Sequence, residues 1–72
     1  MKKLSFRLDG QEFIQLDQLL KLLNIASSGG EAHMMIEDGE ASLNGEPEYR
    51  KRKKLFPNDI VKIFDYQINI TL

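Results

Sequence analysis

The sequence predicts an α+β fold in which two short helices pack on a small, mostly antiparallel sheet. Three observations carry this expectation. Apolar and polar residues alternate near the start, two stretches between residues 16 and 36 repeat apolar residues at helical spacing, and short β-rich runs punctuated by turn dipeptides fill the chain after Gly39.

Leu4, Phe6 and Leu8 alternate with Lys3, Ser5 and Arg7, the period-two pattern of a strand with one buried face. Asp9-Gly10 suits a tight turn at positive φ, so Gln11 to Ile14 is expected to return beside the first strand. Leu16, Leu19, Leu20 and Leu23 form one apolar stripe and predict a helix of roughly two turns that Asn24 ends. Ile25 to Glu31 reads as a loop into a second helix, with Ser28 as N-cap and Glu31 completing a capping box. Ala32, Met35 and Ile36 share its apolar face, and Gly39 supplies the left-handed stop.

Ala41-Ser42-Leu43 is a short strand running into the turn Asn44-Gly45, and Pro47 keeps the following residues extended or turning. A charged run, Leu55-Phe56 and a Pro57-Asn58-Asp59 turn precede a strand from Ile60 to Phe64. Asp65-Tyr66 is expected to turn the chain into Gln67 to Leu72, where Ile68, Ile70 and Leu72 alternate with polar residues. The order is strand, helix, helix, then three or four strands, read as one domain over residues 1–72.

With 72 residues, 42% of them apolar, the chain closes one hydrophobic core and has no length for a second. A core of this size supports about 3 to 5 kcal/mol of net stability, which favours binding over a strained catalytic cavity. No cysteine is present, which excludes disulfides, thiolate metal sites and cysteine nucleophiles and fits a reducing cytosol. The opening Met1 to Arg7 has basic residues but no apolar run behind them, and no span of about 18 apolar residues exists. The expectation is a soluble cytoplasmic protein with no membrane partner.

The formal net charge is −1, yet the charges are segregated. From Gly10 to Tyr49 the acids Glu12, Asp17, Glu31, Glu37, Asp38, Glu40, Glu46 and Glu48 face only Lys21, and half of all Lys and Arg then falls in the unbroken run Arg50-Lys51-Arg52-Lys53-Lys54. Such a run neutralises phosphates and releases counterions, giving salt-sensitive affinity for a polyanion. It also reads as a solvated loop or a charged edge strand that blocks aggregation. If extended, it would send Arg50, Arg52 and Lys54 to one face and Lys51 and Lys53 to the other.

Ser28, Gly29 and Gly30 at a helix start can offer bare amides to a phosphate, although taken alone an ordinary cap and turn is the better explanation of them. The spacing is not that of a nucleotide-binding P-loop. His33 should lie off the apolar stripe, where it serves RNA contact or is inert; with no second histidine or cysteine a zinc site is not expected. Tyr49 either stacks on an unpaired base or packs on the sheet. Glu37, Asp38 and Glu40 have no partner base or nucleophile, so no enzyme, cofactor or small-molecule substrate is expected.

The run Ile25-Ala26-Ser27-Ser28-Gly29-Gly30-Glu31-Ala32, then Ile36 through Glu46, the basic tract and Pro57-Asn58-Asp59-Ile60-Val61 together resemble the ribosomal protein S-four-like RNA-binding domain, in particular its stand-alone bacterial YbcJ/YaaA type. The resemblance covers nearly the whole chain. It implies an αL motif, two helices and a following β turn that form an RNA-facing surface, and a partner among structured ribosomal or transfer RNA. Carried over by position, that surface is Ser28, Gly29, Gly30, His33, Asn44 and Arg50, Lys51, Arg52, Lys53 and Lys54. Many members carry Arg where this chain has Gly29 and His33, the stand-alone group often has Lys at the second of these, and that group tends to a glycine where this chain has Arg52. These differences move the expected affinity from the second helix towards residues 50 to 54. The expected role is a monomeric RNA-binding or assembly factor; the alternative is a protein-interaction adaptor whose basic loop confers solubility.

Overall fold

A computed structural model describes residues 1–72. Seven short strands and two helices follow one another as β1 (Lys2–Arg7), β2 (Ile14–Gln15), α1 (Leu16–Leu22), α2 (Gly29–Glu37), β3 (Ala41–Leu43), β4 (Glu46–Pro47), β5 (Lys54–Leu55), β6 (Ile60–Ile63) and β7 (Tyr66–Thr71). Five strands form one sheet in the order β1-β7-β6-β3-β4, and β2 pairs with β5 in a separate two-stranded ribbon. All pairings are antiparallel except β1 with β7. The α+β architecture expected from the sequence is therefore present.

Alternation explains where the core lies. Val61, Ile63, Ile68 and Ile70 are buried while Lys62 and Asn69 between them are exposed, so one face of the sheet is covered and the other is wet. The covered face joins Leu16, Leu19 and Leu20 of α1 and Ala32 and Ile36 of α2 in one cluster of 14 buried residues. At about 25 cal/mol per Å2 each such Leu or Ile side chain contributes roughly 1.5 to 3 kcal/mol.

Three expectations are corrected. The Asp9-Gly10 turn forms, with φ of 53° and 92°, but the chain does not return beside β1. Ile14 and Gln15 pair instead with Leu55 and Lys54, because that register buries both Ile14 and Leu55 in the core, whereas the inner neighbour of β1 is already β7. The last turn falls at Phe64-Asp65, not Asp65-Tyr66: Phe64 takes φ 52°, and Tyr66 already pairs with Ile63. The capping box is also altered. Ser28 Oγ accepts from the Glu31 amide at 3.1 Å, but the Glu31 carboxylate accepts from the Ser27 amide at 3.1 Å and the Ser27 hydroxyl at 2.8 Å, one residue before the cap.

Candidate nucleic-acid interface

The basic tract is not a strand over most of its length. Only Lys54 is in β5, and the Lys53 amide donates to the Arg50 carbonyl at 3.2 Å to close a turn, so the two-face alternation of an extended run does not apply. The reason lies in α1. Its N-cap is Gln15, which makes no side-chain capping bond, and helix-start amides need acceptors. The Leu16 amide donates to the Lys53 carbonyl at 2.9 Å and the Asp17 amide to the Lys51 carbonyl at 3.0 Å. The basic loop thus caps α1 with its own backbone, which fixes the backbone in place and leaves its side chains turned to other uses.

Those side chains are unequal. Arg50 Nε and Nη2 donate to Glu48 at 2.9 and 3.1 Å, and its amide donates to the same carboxylate at 3.0 Å. Glu48 is the one buried charged residue, at 7% exposure. Hydrogen bonding from the Arg50 side chain holds its carboxyl below the ordinary value of 4.5, against the opposing effect of burial and with help from the Arg50 amide and the Arg50 and Lys53 charges. Lys51 Nζ lies 3.6 Å from Glu37. Lys54 Nζ sits 4.8 Å above the Phe13 ring, a cation–π contact that leaves its charge uncompensated. Arg52, Lys53 and Lys54 have no carboxylate within ion-pair distance.

Helix α2 extends the surface. Gly29, His33 and Glu37 follow at four-residue steps and share one face, which runs about 12 Å from the helix start to the Glu37–Lys51 contact. At the start, the first helical bond is from Ala32 to Ser28 O and Ser28 Oγ serves Glu31, so Gly29 and Gly30 hold the amides that the helix itself leaves over. A Cβ at Gly29 would meet nothing and one at Gly30 only Ser28 Oγ at 3.9 Å; steric need does not explain either glycine. The Glu31 carboxylate beside them weakens their draw on an anion.

His33 Nε2 is 2.9 Å from Asp17 Oδ2, tying α2 to the first turn of α1. The ring is therefore engaged rather than free, although 31% of the side chain remains exposed. Asp17 joins His33 to the basic loop, its carboxylate bonded to the histidine and its amide to the Lys51 carbonyl; Ser28, Gly29 and Gly30 lie at the other end of α2, away from the Glu37–Lys51 contact. Asn44 stands apart in the β3–β4 turn at φ 52°. Its Oδ1 accepts from the Ile60 amide at 2.8 Å and its Nδ2 donates to Asp59 at 3.1 Å. It meets the basic loop across a groove of about 660 Å3 shared with Tyr49, Arg50 and Lys53. Sequence reasoning missed Asp17, Glu48 and Asp59, the acids that position this surface. A helix start without a capping side chain and an acid two residues from Arg50 were the available signals.

No three His, Cys, Asp or Glu side chains converge as a metal site, and no helix is long and apolar enough to cross a membrane.

The chain is similar over 52 residues, at 40% identity, to the "Probable ribosome maturation protein RlbA" of Bacillus subtilis (strain 168), covering 72% of this chain and 73% of that protein. Its fold is similar to the solution structure of YbcJ from E. coli, described as revealing an αL motif involved in RNA-binding, with a TM-score of 0.72 and 28% identity over 94% of this chain and 86% of that one. Residues 6–71 match the S4 domain, and with α1, α2 and the following turn disposed as they are, the chain belongs to the S4 domain family.

Proposed function

We propose that this protein binds structured RNA, ribosomal or transfer RNA, through phosphate contacts, and serves as a monomeric cytoplasmic factor in ribosome maturation. The observation that carries this reading is the basic loop. Three cations without an ion-pair partner, Arg52, Lys53 and Lys54, are carried on a backbone hydrogen-bonded to the α1 N-terminus, with the end of α2 alongside through the Glu37–Lys51 contact. Membership of the S4 domain family and the names borne by its two relatives agree with it. Contacts of this kind recognise the shape and backbone of RNA rather than its base sequence. The work of the site is binding, not chemistry.

Fluorescence titration of the protein with ribosomal RNA at several salt concentrations tests the proposal. Log affinity should fall with log salt, with a slope of about −0.7 to −0.9 per phosphate neutralised. Absence of binding at low salt would refute it and favour a protein-interaction adaptor.

A further inference from the structure

Beside the basic loop lies a second feature that phosphate contacts leave unused. Phe56 is 44% exposed and forms the only apolar wall of an open groove of about 420 Å3, lined otherwise by Arg50, Arg52, Lys53 and Lys54. Its neighbour Phe13 lies 6.1 Å away, centroid to centroid, at an interplanar angle of 52°. The Lys54 ammonium sits over the Phe13 ring, so of the two rings it is Phe56 that lines the groove.

The backbone that carries the ring is held in place. The Asp59 amide donates to the Phe56 carbonyl at 3.1 Å, Asp59 Oδ2 accepts from the Phe56 amide at 2.8 Å, and Asp59 Oδ1 is held by Asn44. An exposed aromatic on a rigid turn loses little conformational freedom when a flat partner stacks on it. Four cations around one aromatic wall suit a partner that is both planar and anionic. An unpaired nucleotide has that combination: its base has a π-face for stacking and its phosphate meets the cations.

We infer that Phe56 is a stacking platform for an unpaired base of the RNA, with Arg52, Lys53 and Lys54 holding the adjoining phosphates. This rests on the RNA-binding reading above and adds a preference to it: the protein distinguishes RNA with an extruded nucleotide from a continuous duplex. Asn44 then acts as a positioning residue, through Asp59, rather than by touching RNA.

The test uses the full chain and two hairpin RNAs, one fully paired and one with a single 2-aminopurine bulge. The wild type should bind the bulged hairpin about 5- to 100-fold more tightly, with a change in 2-aminopurine fluorescence on binding. Phe56→Leu should abolish that preference and the fluorescence change while leaving affinity for the paired hairpin unaltered; Phe56→Tyr should keep both. Circular dichroism confirms that each variant is folded. Equal affinity of the wild type for the two RNAs, or a preference surviving in Phe56→Leu, would overturn the stacking site while RNA binding stands. Failure to bind either hairpin at low salt would overturn both readings.

Discussion

Arg50 donates to the Glu48 carboxylate three times, from its backbone amide, Nε and Nη2, at 3.0, 2.9 and 3.1 Å. Burial alone would raise the Glu48 pKa, and the Arg50 hydrogen bonds reverse the direction. Glu48 therefore stabilises the fold in its charged form, and this contribution is present above the ordinary value of 4.5 and lost as pH falls through the lower folded value. Glu48→Gln should cost about 1 kcal/mol, discounted for the exposed guanidinium, or about 4–8 °C in Tm. Thermal unfolding between pH 3 and 7 checks it: the acid limb of the wild-type curve should flatten in the variant. An unchanged limb would mean that Glu48 does not report on this pair.

The inequality of the basic side chains predicts an order of effects on RNA binding. Glu37 lies 3.6 Å from Lys51 and competes with phosphate for it, so Glu37→Gln should tighten binding. Exposed pairs are worth about 0.2 to 1 kcal/mol, up to about fivefold in affinity, and the gain should shrink as salt rises. Arg52→Gln should loosen binding and reduce the salt slope by about 0.7 to 0.9. Lys51→Gln should change the slope less than Arg52→Gln, since Lys51 begins partly neutralised. Titrations of the three variants at matched salt decide the order; a Lys51 variant as damaging as the Arg52 variant would contradict it.

Asn44 gives a third prediction, on stability. Its amide donates to the Ile60 carbonyl at 2.8 Å and its side chain accepts from the Ile60 amide at 2.8 Å, so one residue in a left-handed turn replaces a strand pair. Asn44→Gly keeps the backbone freedom and loses the side-chain bonds, at about 1 to 2 kcal/mol. Asn44→Ala loses the same bonds and adds the left-handed penalty, at about 1 kcal/mol more. Urea unfolding should rank wild type above the Gly variant and the Gly variant above the Ala variant. Equal stability of the two variants would show that φ is not the deciding factor.

Much of this architecture was legible because it depends on local periodicity. The alternation around Leu4 and Phe6, the leucine stripe of α1, the Ser28 cap and the Asn44-Gly45 turn each declare themselves within ten residues. Pairing between distant segments did not. Nothing in Lys2–Arg7 announces a parallel partner in Tyr66–Thr71, and Asp9-Gly10 turns the chain without saying towards which strand. The candidate site divided the same way. The basic run was visible as a charge block, but its turned conformation depends on the α1 amides it caps. Likewise the engagement of His33 depends on Asp17, 16 residues away on another helix.

The junction of α2 with the sheet yields the last prediction. Gly39 takes φ +80°, and a Cβ there would lie 3.2 Å from Tyr49 Cε1 and 3.5 Å from its hydroxyl. Two costs therefore oppose Gly39→Ala: left-handed backbone strain of about 1 to 2 kcal/mol, and displacement of the Tyr49 ring. Tyr49 is 61% exposed and its ring can swing outward, so the backbone term should dominate. Gly39→Ala should then destabilise by about 1 to 2 kcal/mol, and pairing it with Tyr49→Ala should recover less than half of that loss, measured as a double-mutant cycle in thermal unfolding. Recovery of most of the loss would reverse the ranking and make the tyrosine ring, one residue from Arg50, the element that sets how closely the end of α2 approaches the basic loop.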